Sequence, residues 1–271
     1  MSRASRSPDD RRWRLLAAGL VAVLALAACG GSSSSAPTQG PGQTSGPGDT
    51  QEPGASDGPI SDDGSEAFSA ATTALDDLDS YGFRVEISTT TVSGDVTSTS
   101  HMVMSGVVVN APEEASSLIQ EELDADGDVT SSSGIIVIGE EAWIGDGETW
   151  TPIPAAQAST FIQAMAGFRP EQMFGIYFAG LGGNFNEAGT ETKNGIDSTR
   201  YEGDEEVGAI LGTIAGFQGE WTSDVWIAND GGFLVHSEAG AEAAAGADAG
   251  SFLIVVDITD PNSAGPIAPP D

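Results

Sequence analysis

The chain has 271 residues, a formal net charge of −32 from 9 basic and 41 acidic residues, and a 39% apolar fraction, with 36 Gly and 14 Pro. That is enough apolar material for one sizeable core, and the Gly and Pro content points to long irregular stretches beside it. The charge argues against nucleic acid, whose phosphates need clustered Lys and Arg, and against a broad electrostatic dock on anionic lipid heads. The lone cysteine, Cys29, rules out an intrachain disulfide, and with two histidines, His101 and His236, neither a zinc site nor any cofactor is expected.

The first residues read as an address. Five arginines (Arg3, Arg6, Arg11, Arg12 and Arg14) precede an apolar run over residues 15–28, too short for a comfortable membrane span and fitting a signal-peptide core. Arg11-Arg12 resembles a twin-arginine pair, but Arg14 stands where an apolar residue is expected, which favours the general secretory route. The run ends Leu26-Ala27-Ala28-Cys29-Gly30, the pattern of a bacterial lipobox, in which the +1 cysteine thiol is diacylglycerated and the leader is cut before it. The expected organisation is a lipoprotein signal peptide over 1–28, an acylated Cys29 and disordered Gly/Ser/Pro-rich tether over 29–61, and one domain over 62–271. The tether lacks large apolar residues, and a coil of its length spans roughly 30–35 Å. Localisation follows: the cell membrane, lipid-anchored on the extracytoplasmic face. Of the nine basic residues only Arg84, Arg169, Lys193 and Arg200 lie beyond the leader.

Phe68, Ala71, Leu75 and Leu78 form one helical stripe, with Asp63 and Glu66 spaced as in a capping box. At Tyr81 the period becomes two: Tyr81, Phe83, Val85 and Ile87 alternate with polar neighbours, a half-buried strand over residues 81–88. Further strands are expected over 101–110, 116–123, 134–139 and 142–144, the last opening a tight hairpin with Trp143 and Trp150 on its arms. Three helical segments follow. Residues 154–167 carry Phe161 and Met165, and residues 170–181 carry Met173, Phe174 and Phe178 behind Pro170. Residues 204–217 carry Ile210, Leu211 and Ile214 behind an Asp204 cap. Strands return at 187–193 and 196–202 around Asn194-Gly195, the strongest short hairpin signal, then at 220–228, 233–238 and 251–259. Residues 239–250, rich in Gly, Ala and Glu, read as a surface loop or poorly ordered hairpin arm. Short hairpins make the strands antiparallel, so the fold class is α+β.

Catalytic chemistry finds little support. Asp124-Ala125-Asp126-Gly127-Asp128 opens like a calcium loop, but Val129 and Ile135 occupy positions that need Gly and Glu, and a hairpin turn is the better reading. Adjacent carboxylates are expected from composition alone, no Gly-x-Ser-x-Gly elbow is present, and each histidine reads as a solvent-face or edge residue. What stands out is apolar. Phe161, Met165, Met173, Phe174, Phe178, Ile210, Leu211 and Ile214 are interleaved with Ala and Gly, a mixture that suits either an ordinary core or a cavity for a flexible hydrocarbon chain.

An ordered series of segments then carries a resemblance. After the lipobox come Leu78-Asp79-Ser80-Tyr81-Gly82-Phe83, Ile135-Ile136-Val137-Ile138-Gly139-Glu140-Glu141-Ala142-Trp143-Ile144 and Trp150-Thr151-Pro152-Ile153-Pro154. Asn194-Gly195-Ile196, Asp224-Val225-Trp226-Ile227 and Asp257-Ile258-Thr259-Asp260-Pro261-Asn262 follow. The chain resembles the LppX/LprA/LprF/LprG-type mycobacterial lipoproteins, related in fold to the LolA and LolB lipoprotein carriers. The resemblance implies a strongly curved antiparallel sheet, a half-barrel, with helices over its concave face and an apolar cavity between. It implies non-catalytic binding of an acylated lipid or glycolipid and its carriage through the cell envelope, with an envelope transporter as a further partner. The alternative function is a lipid-anchored protein-interaction module with a filled core.

Overall fold

The computed structural model describes residues 64–243 and 249–270. The leader, Cys29 and the tether lie outside the described residues, as does Asp63 of the expected capping box.

Eleven strands form one open antiparallel sheet in the order β6-β5-β4-β3-β2-β1-β11-β10-β9-β8-β7. They are β1 (Ser80–Ser93), β2 (Val96–Val109), β3 (Ala115–Leu123), β4 (Val129–Ile138), β5 (Glu141–Gly145), β6 (Trp150–Pro152), β7 (Phe185–Lys193), β8 (Ile196–Gly203), β9 (Glu220–Ala228), β10 (Leu234–Ala243) and β11 (Ala249–Thr259). Every neighbour except β1–β11 is also a neighbour in sequence, so two meanders are joined at the centre by the pairing of the first strand with the last. The fold is the α+β half-barrel class, with its ends left open at β6 and β7. Both edges are poor templates for a further strand. β6 is three residues long and ends in Pro152, and β7 carries a register shift between Glu187 and Gly189.

Strand parity assigns the faces. Tyr81, Phe83, Val85 and Ile87 of β1 lie in register with Val108, Gly106, Met104 and Met102 of β2, and the last three of them with Ile258, Val256 and Ile254 of β11. Phe83 fits because Gly106 opposite it has no side chain; a Cβ there would stand 2.9 Å from the Phe83 ring. This face carries the helices: α1 (Ser65–Asp76), α2 (Ala155–Ala166), α3 (Pro170–Tyr177), a 3-10 turn (Ala179–Asn184) and α4 (Glu205–Ala215). The α1 stripe is as the period predicts, with Phe68, Ala71 and Leu75 fully buried, but its N-cap is Gly64 without a side-chain cap bond. Asp204 caps α4, accepting from the Glu206 and Val207 amides.

The strands run longer than the sequence predicts. β1 and β2 continue past residues 88 and 101 into a Ser/Thr-rich arm that pairs as far as Ser93 and Val96. Of the two readings of 239–250, loop or hairpin arm, the structure has the arm: β10 runs through Ala243 and β11 starts at Ala249. Small residues there still supply ladder hydrogen bonds, and Ala239 and Ala241 are buried on the helix-bearing face. Asn194 (φ 53°) and Gly195 (φ 80°) make the left-handed two-residue turn that their identity predicts. Asp124 Oδ1 accepts the Asp126 and Asp128 amides, so this carboxylate is used to close the β3–β4 turn.

Candidate functional site

The floor of the helix-bearing face changes character along the strands. On β1, Tyr81, Phe83 and Val85 are buried, Ile87 and Thr89 are half-buried and Thr91 is exposed. The same gradient runs through Val108, Met104, Met102 and Ser100 on β2, through Val137, Ile135, Ser133 and Ser131 on β4, and through Ile258, Val256 and Ile254 on β11. The six residue steps from Val85 to Thr91 span about 20 Å at roughly 3.4 Å each. The result is a trough, closed and apolar at one end and open at the β1–β2 hairpin end.

The closed end is fixed by a buried polar network. Tyr81 Oη donates to Glu171 Oε2 at 2.5 Å, and Arg169 Nε stands 2.7 Å from Glu171 Oε1. That pair is an ion contact rather than an aligned hydrogen bond, since Arg169 Nε has no partner of good geometry. Arg169 also donates to Asn110 Oδ1, and Asn110 Nδ2 donates to the Leu78 carbonyl at 2.9 Å beyond the C-terminus of α1. Glu171 is 3% exposed. Burial, then the Glu171 carboxylate, pushes the Tyr81 phenol far above its ordinary value and keeps it a donor. The corner where α2 meets α3 is thereby tied both to the sheet and to α1.

The two halves of the face are packed differently. Over β8–β10 small residues bring helix and sheet together: Ser223 and Ala239 pair on the floor, and Gly208 and Gly212 of α4 lie against Trp221. Beside them Phe68, Phe174, Phe178, Phe185 and Tyr201 interlock, with ring centroids 4.8–6.2 Å apart. Over β11 and β1–β5 the buried floor of Phe83, Val85, Met104, Ile135, Val256 and Ile258 gives way to apolar side chains that are only partly covered. Ile87, Met102, Ile144, Ile153 and Ile254 border the core there, with Phe161 and Ile162 from α2, which rests on β5.

The eight apolar residues singled out in the sequence therefore fall in three groups. Phe161, Met165 and Met173 border the core from α2 and α3, Met165 buried and the other two half-buried. Phe174 and Phe178 are buried in the aromatic cluster, against Phe68 and Phe185. On α4, Leu211 is buried, Ile210 is half-buried and Ile214 is 50% exposed. Gly208 and Gly212 point α4 at Trp221, and at about 100° per residue this turns Ile214 outward. The floor residues Val85, Ile87, Met102, Met104 and Ile254 were not among the eight. Their signal was present in the β1 alternation continued by Met102 and Met104, but sequence does not say which face of a strand the helices leave open.

The opposite face carries charge. One cross-strand row reads Arg84, Asp257, His236, Trp226, Arg200 on β1, β11, β10, β9 and β8. His236 is 4% exposed, contrary to the solvent-face expectation, because the β7–β8 hairpin folds over it. Its Nδ1 lies 2.7 Å from Asp257 Oδ1, which also accepts from Asn194 Nδ2, and Lys193 Nζ sits 4.3 Å from the centre of the Trp226 ring. His101 pairs with Glu86 at 2.9 Å. Among the described residues no cluster of three or more His, Cys, Asp and Glu is arranged for a metal, and no helix is long and apolar enough to cross a membrane.

No protein-family model and no curated protein matches the chain. Solved structures do. The lipoprotein LppX of Mycobacterium tuberculosis is 18% identical over 75% of this chain and 97% of its own, with a TM-score of 0.38. LprF of Mycobacterium bovis is 11% identical over 77% and 96%, with a TM-score of 0.40. A LolA-superfamily protein of Nitrosomonas europaea is 12% identical over 76% and 95%, with a TM-score of 0.22. LppX and LprF carry the names of the group that the sequence resembles.

Proposed function

We propose that this chain is a lipid-anchored carrier on the extracytoplasmic face of the cell membrane. It holds the acyl chains of a lipid in the trough and moves them through the envelope without catalysis. The observation that carries the reading is the graded floor: an apolar surface that passes from full burial at Tyr81, Phe83 and Val85 to half-burial at Ile87. Each methylene removed from water there contributes about 0.8 kcal/mol, so a dozen offset much of what the chain loses on leaving a bilayer. Cys29 supplies the anchor and the stretch after it the reach, and delivery to an envelope transporter completes the proposed route.

The interaction-module reading has its own support in the interlocked aromatic cluster and the small-residue packing over β8–β10, which leave that half filled. Native mass spectrometry of the full chain purified from the cells that make it separates the two. A carrier retains a lipid adduct that organic extraction removes and incubation with lipid restores. A module gives one lipid-free mass that incubation does not change.

A further inference from the structure

Resting on the carrier reading, we propose that the trough selects acylated lipids with an uncharged head group and discriminates against anionic phospholipids, the head group lying at the mouth between β2 and β4. The argument starts from where the cations are. Beyond the leader the sequence has four basic residues. Arg84, Arg200 and Lys193 belong to the opposite face of the sheet: Arg84 is paired with Glu86, Arg200 with Glu202 and Asp224, and Lys193 caps Trp226. Arg169 alone is on the helix-bearing side. It sits at the closed end, where the buried Glu171 neutralises it and Asn110 takes its guanidinium.

The mouth is built from another chemistry. Across β3 and β4 the register sets Gln120 and Ser133 in the row of Met104 and Glu122 and Ser131 in the row of Met102, and Ser100 and Thr89 form the next row toward the hairpin. Gln120, Ser133 and Thr89 are half-buried, and Glu122, Ser131 and Ser100 are exposed. Hydroxyls and an amide both donate and accept, which suits the hydroxyl and ester groups of an uncharged lipid. The one charge in the set is the Glu122 carboxylate, which repels a phosphate, and the net charge of −32 adds to that repulsion at longer range. None of the four basic residues stands at the mouth to offset the charge of an anionic head group, so such a lipid meets only neutral donors and one carboxylate there.

The test uses full-chain protein and phosphatidylcholine vesicles holding either self-quenched NBD-diacylglycerol or self-quenched NBD-phosphatidylglycerol, uptake being read as relief of quenching. The expected result is uptake of the diacylglycerol at least tenfold above the phosphatidylglycerol. In Gln120→Lys and Glu122→Lys, separately, the ratio should fall several-fold, with the melting temperature recorded for each. Glu122 is exposed, so its variant folds even if Gln120→Lys does not. Equal or preferred uptake of phosphatidylglycerol by the unaltered chain overturns the selectivity and leaves the carrier reading standing. Discrimination that persists in a folded Glu122→Lys variant overturns the placement of the head group. Uptake of neither probe overturns the carrier reading and this inference with it.

Discussion

Tyr81 shows how one residue links strand, helix and site. Its ring is fully buried on the floor, and its hydroxyl reaches Glu171 in the first turn of α3. A hydrogen bond to a charged group contributes about 1.5–3 kcal/mol, and without it the buried carboxylate relies on Arg169 alone. Tyr81→Phe is therefore expected to cost about 2 kcal/mol in urea unfolding, with the trough otherwise intact. Asp257 gives a pH-dependent counterpart on the other face. The hydrogen bond from His236 holds its carboxyl below the usual carboxylate range, against the opposing effect of burial. A folded-state value below the unfolded one stabilises the fold above the unfolded value, about 3.9, and that contribution fades as pH falls through the folded value. Asp257→Asn should thus lower stability at pH 7, and the gap from the unaltered chain should narrow as pH falls below the ordinary carboxylate range, as followed by thermal melts across pH. A gap that is constant with pH would mean the loss is one of packing. His236 and Asp257 were both visible in the sequence; their pairing was not, because it depends on β10 lying beside β11 and on the β7–β8 hairpin closing over them.

At the scale of elements, what the sequence made legible tracks the physical strength of each signal. The α1 stripe, the β1 alternation, the Asp204 cap and the Asn194-Gly195 turn are local codes, and the structure has each of them. For residues 239–250 the structure has the hairpin arm rather than the loop, although Gly and Ala are poor strand formers in isolation. Here they are held by ladder bonds to β9 and β11, and their small size lets helix and sheet approach. The α4 glycines follow the same logic. Glycine inside a helix costs up to about 1 kcal/mol relative to alanine, so Gly208→Ala would ordinarily stabilise. At this position the added Cβ would stand 2.9 Å from Trp221 Cβ, an atom fixed close to its backbone. Overpacking of this kind typically costs about 1–3 kcal/mol, so we expect a net loss of roughly 1 kcal/mol and a lower melting temperature. A raised melting temperature would mean that α4 rests more loosely on β9 than the contact implies.

For the molecule as a whole, the antiparallel α+β class was legible from short hairpins and helical interludes, because these fix neighbours without reference to distant contacts, whereas the half-barrel came only from the family resemblance. The central pairing of β1 with β11 joins the two ends of the described chain, and no local pattern encodes it. The candidate site divides along the same line. Apolar stripes on α2, α3 and α4 could be read residue by residue, but whether a stripe meets another helix, a filled aromatic cluster or an open floor is decided by the assembled sheet. That is why Phe174 and Phe178 proved to be packed against Phe68 and Phe185, while Ile87, Met102 and Ile254 border the opening. The central claim is that acyl chains lie on this floor. The most direct measurement is photo-crosslinking of the full chain with a diacylglycerol bearing a diazirine near the end of one acyl chain, followed by peptide mapping. Adducts concentrated on Val85, Ile87, Met102, Met104, Ile254 and Phe161 are the expected result. Adducts confined to the opposite face or to Ile214, or none above an irradiated control without protein folding, would contradict it.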